Sequence, residues 1–215
     1  MPAGVVYVKQ PLRRSQAVTH DQHPLRAVLN SIGPDSCPGL LNFHCHTVCS
    51  DGSLEPVALI EQATARKLSH IAVTDHHSIA AYVPMVDWLD RARDRGECTP
   101  TLWSGMEISC ILRGCLVHVL ALGFRPGDPA LLPYSSGDAA VGAPLRAGEV
   151  CKAIHLAGGL AILAHPGRYR LGFSVLIDAA AELGFDGGEA WYDYDMKQRW
   201  APTPLICDSI DKQLK

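Results

Sequence analysis

No apolar run in this chain approaches the roughly 18 residues that a membrane-spanning helix needs. The opening MPAGVVYVKQPLRR also lacks the apolar centre of a secretory signal. Charge of one sign is scarce as well. A formal net charge of −3 over 215 residues gives no basic field for avid binding to long nucleic acid, whereas a small phosphorylated substrate stays compatible. No CxxC pair occurs among the eight cysteines, which disfavours a dithiol redox motif and a zinc ribbon. A chain of this size folds without staples, so free thiols are expected rather than disulfides. What is present is ordinary: 47% apolar and 19% charged residues, enough for one full-sized core. The expectation is a cytoplasmic protein with one principal domain, no membrane partner and no obligate protein partner.

Residues 1–39 are rich in Pro, Arg, Gln and Ser without clear periodicity and read as an N-terminal extension, with a candidate short helix over Pro24 to Ile32. From residue 40 onward, short apolar runs alternate with amphipathic stretches, the pattern of βα units around a mostly parallel sheet. Leu40 to His44 and Ile71 to Thr74 read as strands, each leading to a helix, one capped by Ser53 and one from Ala81 to Arg95 that stops at Gly96. TLWSGMEISC and CLVHVLALGF flank the turn ILRGC and predict a hairpin. Residues 125–144 form a long Pro/Gly/Ser-rich loop. Beyond it come a helix from Leu145 to Ala157, a strand from Leu160 to Ala164, a helix capped by Ser174 and a strand from Phe185 to Trp191. Thr203 and Pro204 then open a last helix that feeds no further strand. An unfinished βα unit of this kind predicts an unpaired sheet edge and exposed apolar surface.

The residues with chemical potential collect at the carboxyl ends of the predicted strands, where α/β barrels gather their active sites. NFHCHTVCSDG places His44 and His46 on one face of a strand, because residues two apart point the same way, while Cys45 points away. Asp51 follows in a loop closed by Gly52. His76 comes after the second strand, Glu107 and His118 lie in the hairpin, and His165 ends LAILAHP. Each position has a plainer reading beside this one. His20, His23, His70 and His155 read as solvated, and His118, set among Leu116, Val117, Val119 and Leu120, invites the reading of a core histidine. His77 reads as a neighbour of the site, a substrate contact or surface. Cys45 and Cys49 could serve a structural zinc, yet no matching Cys/His pair follows, and small buried hydrophobes are the simpler use. Glu107 in an apolar strand would be costly to bury unless it shared a cation. The argument for ligation is collective.

In this order FHCHTVCSDG, AVTDHH, SGMEIS, LVHVLALG and LAILAHPGRY resemble the PHP superfamily, the polymerase and histidinol phosphatase metal-dependent phosphoesterases. The branch they look most like holds nucleotide 3′,5′-bisphosphate phosphatases and 5′-to-3′ exoribonucleases. The resemblance covers residues 40–215, the PHP domain as expected from sequence. It implies an α/β fold, a distorted (β/α)7 barrel whose last βα element is missing, with two or three divalent ions, Mn, Fe or Zn, at the carboxyl ends of its strands. His44, His46 and Glu107 would hold the first ion, with Glu107 bridging to a second held by His118 and His165. Asp51 and His76 would hold the third. Glu107 and His118 would be the catalytic residues, and Arg168 would bind the phosphate. The implied activity is hydrolysis of a phosphate ester of a nucleotide or short RNA end through a metal-bound hydroxide. Family members continue into a strand bearing G-[ST]-D-x-H, which supplies two of nine ligands and does not occur here. A degenerate, catalytically impaired metal-binding or interaction module is therefore the alternative.

Overall fold

The computed structural model describes residues 5–8, 22–196 and 201–215, with the first segment described as backbone. The chain opens with strand β1 (Val5–Val8) and helix α1 (Pro24–Leu29), then β2 (Leu41–Asn42), α2 (Pro56–Ala65), β3 (His70–Ala72) and α3 (Tyr82–Asp94). Strands β4 (Thr101–Trp103), β5 (Gly105–Leu112) and β6 (Cys115–Leu122) follow. The second half carries α4 (Ala147–Leu156), β7 (Leu160–Leu163), α5 (Phe173–Glu182), β8 (Gly187–Trp191) and α6 (Pro204–Leu214). Among the described residues no helix is long and apolar enough to cross a membrane.

The α/β expectation holds, and the described strands form two sheets that do not close on themselves. One has the order β1-β8-β7-β6-β5 and the other β2-β3-β4. The smaller sheet is parallel throughout. In the larger, β7 and β8 run parallel while the β5–β6 and β6–β7 ladders are antiparallel. The ILRGC turn is the predicted hairpin. Arg113 and Gly114 take φ of 51° and 71°, the two left-handed positions of a tight turn whose twist matches its strands. The sheets meet beyond the end of β3, where His76 and Glu107 form a parallel bridge. Gly105 permits that approach, because a Cβ there would overlap the carbonyl oxygen of Val73.

Several local expectations change. Ser53 does not cap α2; the helix starts at Pro56 with Glu55 at the cap, because proline's fixed φ suits the first helical position. Ser174 lies inside α5, whose cap is Gly172. The long loop of residues 125–144 contains two short 3₁₀ helices, Pro129–Tyr134 and Ala143–Leu145. The last helix does begin at Pro204 after Thr203, but the Thr203 hydroxyl accepts from the backbone of Tyr194 rather than capping the helix. The edge of β8 expected to lie open is paired antiparallel with β1.

Two apolar clusters support this frame. The larger joins β5–β8, α4, α5 and α6, and it includes Leu25, Leu29, Ile32 and Cys37 from the segment expected to be an extension. Leu25 and Leu29 are fully buried, each adding about 2 kcal/mol of burial energy, which anchors α1 to the body of the fold. Arg26 on the same helix is paired with buried Asp186, which also accepts from the backbone of Ala161 at 2.8 Å and faces His155 at 2.8 Å. The smaller cluster packs α2 and α3 on β3 through Ile60, Ala63, Ile71, Met85 and Leu89. The candidate ligands lie where the two sheets abut.

Candidate metal centre

His44 and His46 follow β2, His76 follows β3, Glu107 and His118 stand on β5 and β6, and His165 follows β7. Backbone bonds between these segments set their spacing. Thr74 N–H donates to the carbonyl of Cys45 at 2.8 Å, Glu107 N–H to Asp75 at 3.2 Å, His77 N–H to Glu107 at 3.0 Å, and Ala164 N–H to His118 at 3.0 Å. Each candidate side chain is therefore held by a strand end and its neighbour, which is what a site needing sub-ångström placement requires.

The centre of the arrangement is the Glu107 carboxylate, 1% exposed. Its Oε2 lies 3.0 Å from His44 Nε2, 3.1 Å from His46 Nε2 and 3.6 Å from His76 Nε2. Its Oε1 lies 2.8 Å from His118 Nδ1 and 3.1 Å from His165 Nε2. The Asp51 carboxylate adds contacts at 3.4 Å to His46 Nδ1 and 3.8 Å to His76 Nε2. Ligand atoms thus draw together in three groups: His44 with Glu107 and His165; His46 with Asp51 and His76; His76 with Glu107 and His118. All seven residues expected from sequence as ligands converge, but the groups divide them differently: His165 joins His44 and Glu107 rather than His118, and His46 joins Asp51 and His76.

Asp51 reaches the site on a loop that Asp75 organises. The buried Asp75 carboxylate accepts from Thr47 N–H and Thr47 Oγ1, both at 2.6 Å, and from Ser50 Oγ at 2.7 Å. Gly52 completes the turn, since a Cβ there would overlap the backbone of His46.

Protonation follows from burial and charge. Burial opposes ionisation of Glu107, but His44 beside it and the contacts from His118 and His165 outweigh that, holding its carboxyl well below the usual range. His44 is fully enclosed, which favours its neutral form, yet Glu189 and Glu107 on either side raise it well above the ordinary value. His165 is lowered by burial, and His76 by burial reinforced by the neighbouring His46 and His118. The last two stand neutral, with lone pairs free to bind.

The donor set suits divalent ions of intermediate softness. Five imidazoles on one carboxylate exceed what its lone pairs accept as hydrogen bonds, and charging them all would confine several like charges together. His118 Nδ1, 2.8 Å from Oε1, is also buried without a properly directed hydrogen bond. Cations among nitrogens and carboxylate oxygens would relieve both conditions, and mixed imidazole and carboxylate donors suit divalent transition metals.

The remaining candidates sort by their contacts. Arg168 is exposed beside the site, its Nη1 donating to the Tyr192 hydroxyl at 3.0 Å and its guanidinium 5.8 Å from that ring. Tyr192 in turn stands 5.3 Å from the His165 ring and 6.2 Å from that of His44. His118 is only partly buried, unlike a core histidine. His77 is turned away, bonded to the carbonyl of Tyr134 and to Ser109. His23 caps α1, His70 accepts from Trp103, and His155 faces Asp186; His20 lies outside the described residues. Cys45 is buried with its thiol toward the carbonyl of Ala72, and no cysteine joins the ligand groups among the described residues. Sequence reasoning missed Glu189, which is fully buried and holds His44 Nδ1 at 3.0 Å. Its signal was an acid in the otherwise uncharged run GGEAW, the same signal that singled out Glu107.

Residues 42–132 match the PHP domain family, in agreement with the motif resemblance. The 5′-3′ exoribonuclease Rnm of Escherichia coli is 28% identical over 95 residues, 44% of this chain and 31% of that protein. The 3′,5′-nucleoside bisphosphate phosphatase of Chromobacterium violaceum is 34% identical over 91 residues, 42% of this chain and 30% of that protein. The matched segment thus spans about a third of either relative. A crystal structure from Bifidobacterium adolescentis, described as a metal-dependent phosphoesterase, aligns with a TM-score of 0.59 at 22% identity over 82% of this chain and 83% of that one. At that identity the likeness speaks to the fold.

Proposed function

We propose that this chain, whose residues 42–132 match the PHP domain, hydrolyses a phosphate ester of a nucleotide or short RNA end. The observation that carries the reading is the convergence of five imidazoles on the buried Glu107 carboxylate at the junction of the two sheets. We read those sheets as an opened form of the distorted (β/α)7 barrel, and residues 40–215 as its domain. His44, His46 and Glu107 would hold one divalent ion, Glu107, His118 and His165 a second, and Asp51 with His76 a third. Mn, Fe or Zn bound there would supply Lewis acidity toward phosphoryl oxygens and lower the pKa of water.

The protein's own groups do the rest. Glu107 and His118 are the catalytic residues in this reading. Glu107 presents both oxygens to the ligand groups and stays ionised because its imidazoles hold its pKa low. His118 flanks Oε1 with a ring 27% exposed against 5% for His165, so it stands nearer the side from which an ester arrives. Arg168 meets the phosphate, with its planar guanidinium steadied against Tyr192. The names of the relatives support a small phosphorylated substrate, nucleotide bisphosphate or RNA.

The test is to strip the protein with chelator, reload it with Mn, and assay phosphate release from 3′,5′-bisphosphonucleotides and 5′-phosphorylated oligoribonucleotides. Release that follows Mn and is lost in Glu107→Gln supports the reading. An inert Mn-loaded protein across that panel overturns it.

A further inference from the structure

Glu189 sits on β8, fully buried, with its carboxylate between two candidate ligands that belong to different segments. Oε1 and Oε2 lie 3.0 and 3.2 Å from His44 Nδ1, and Oε2 accepts the backbone N–H of His165 at 2.8 Å. The opposite nitrogen of His44, Nε2, faces Glu107 at 3.0 Å. A neutral imidazole carries a single N–H, and an ionised carboxylate can only accept. Without an ion each ring nitrogen of His44 faces a carboxylate and the ring is held charged; with an ion beside Nε2 the one N–H that remains stands on Nδ1, where Glu189 accepts it. Its contact with His165 is of another kind. That residue takes φ 27° and ψ 61°, a conformation side-chain-bearing residues rarely adopt, at the start of the Pro166–Arg168 turn. The N–H bond to Glu189 helps hold it there.

We infer that Glu189 is the positioning residue of the metal centre, one carboxylate that sets the tautomer of His44 and anchors the strained backbone of His165. The inference rests on the reading of this cluster as a metal site. A carboxylate behind a ligating histidine fixes ring orientation and raises ligand basicity, and its loss lowers metal affinity about 10–100-fold.

The test uses the whole chain loaded with zinc, chosen because it is diamagnetic, and labelled with ¹⁵N-histidine. In the wild type, His44 should give a hydrogen-bonded Nδ1–H resonance, identified by its absence from His44→Gln. Glu189→Gln keeps the volume but replaces one carboxylate oxygen by an amide. It should shift or lose that resonance and weaken zinc binding about 10–100-fold in chelator competition, with an unchanged far-ultraviolet circular dichroism spectrum. Glu189→Leu should lose the resonance outright; if that variant does not fold, the isosteric Gln variant decides alone. A folded Glu189→Gln protein with wild-type affinity and an unmoved His44 resonance overturns the inference and leaves the metal reading standing. A wild type that binds no zinc overturns both.

Discussion

His76 and Glu107 meet twice. Their backbones form a parallel bridge between the two sheets, and His76 Nε2 stands 3.6 Å from Glu107 Oε2. The contact that joins the sheets is thus also a contact of the candidate centre, so disturbing one disturbs the other.

Metal retention should track this geometry. His46→Ala and Glu107→Ala should each lower bound metal, read by elemental analysis after dialysis, with Glu107→Ala losing most because it faces every imidazole of the cluster. Each loss should exceed the 10–100-fold typical of an outer partner. His155→Ala, whose ring faces Asp186 instead, should retain wild-type metal. Equal retention in all three would contradict the ligand assignment.

Cys45→Ser and Cys49→Ser should leave metal content unchanged, because neither thiol enters a ligand group among the described residues. Cys45→Ser should lower stability by about 1–2 kcal/mol, since it places a hydroxyl in a buried apolar position. Loss of metal in either variant would restore the structural-zinc reading.

The metal-free protein should lose stability toward both acid and alkali. His44 is raised above its ordinary 6.5, so its contribution is fully present below that value and is lost as pH rises through the raised one. His76 and His165 are lowered, and Glu107 lies below its ordinary 4.5, so their contributions are present at higher pH and lost as pH falls. Below about pH 8 the alkaline limb belongs to His44 and should slope by at most about 1.4 kcal/mol per pH unit; at higher pH the buried thiols of Cys37, Cys45, Cys110 and Cys151, pushed up by burial, add their own loss. Urea midpoints measured in chelator between about pH 6 and 8, below the thiol range, should show that limb in the wild type and a flatter one in His44→Gln. Superimposable profiles would refute the assignment of charge to His44.

Arg168→Ala should reduce kcat/KM for a phosphomonoester about 10–100-fold, the loss of one charge-assisted contact, while metal content stays constant. Arg168→Lys should recover only part, because an ammonium cannot reproduce the fork geometry. An unchanged kcat/KM would place Arg168 outside the substrate path.

Much of this was legible along the chain. The hairpin around Arg113 and Gly114 and the last helix at Pro204 follow from local signals, turn chemistry and a proline at the first helical turn; polar residues at the ends of apolar runs marked His44, His46, Asp51, His76, Glu107, His118 and His165 as candidates, and the motif resemblance, not any local signal, grouped them as ligands. The misreadings were local competitions as well. Ser53 and Ser174 are good caps, but Pro56 and Gly172 started those helices instead.

The sequence by itself determined which residue types stand at the strand ends, because alternation and apolar runs are short-range patterns that each segment carries alone. Tertiary structure alone decided which of them touch. Glu189 behind His44, Asp75 beneath the Asp51 loop, Leu25 and Leu29 inside the core, and β1 along the edge of β8 depend on contacts between segments far apart in the chain. No local periodicity encodes such contacts, since they form only when packing brings separate elements together and a buried charge must find its partner.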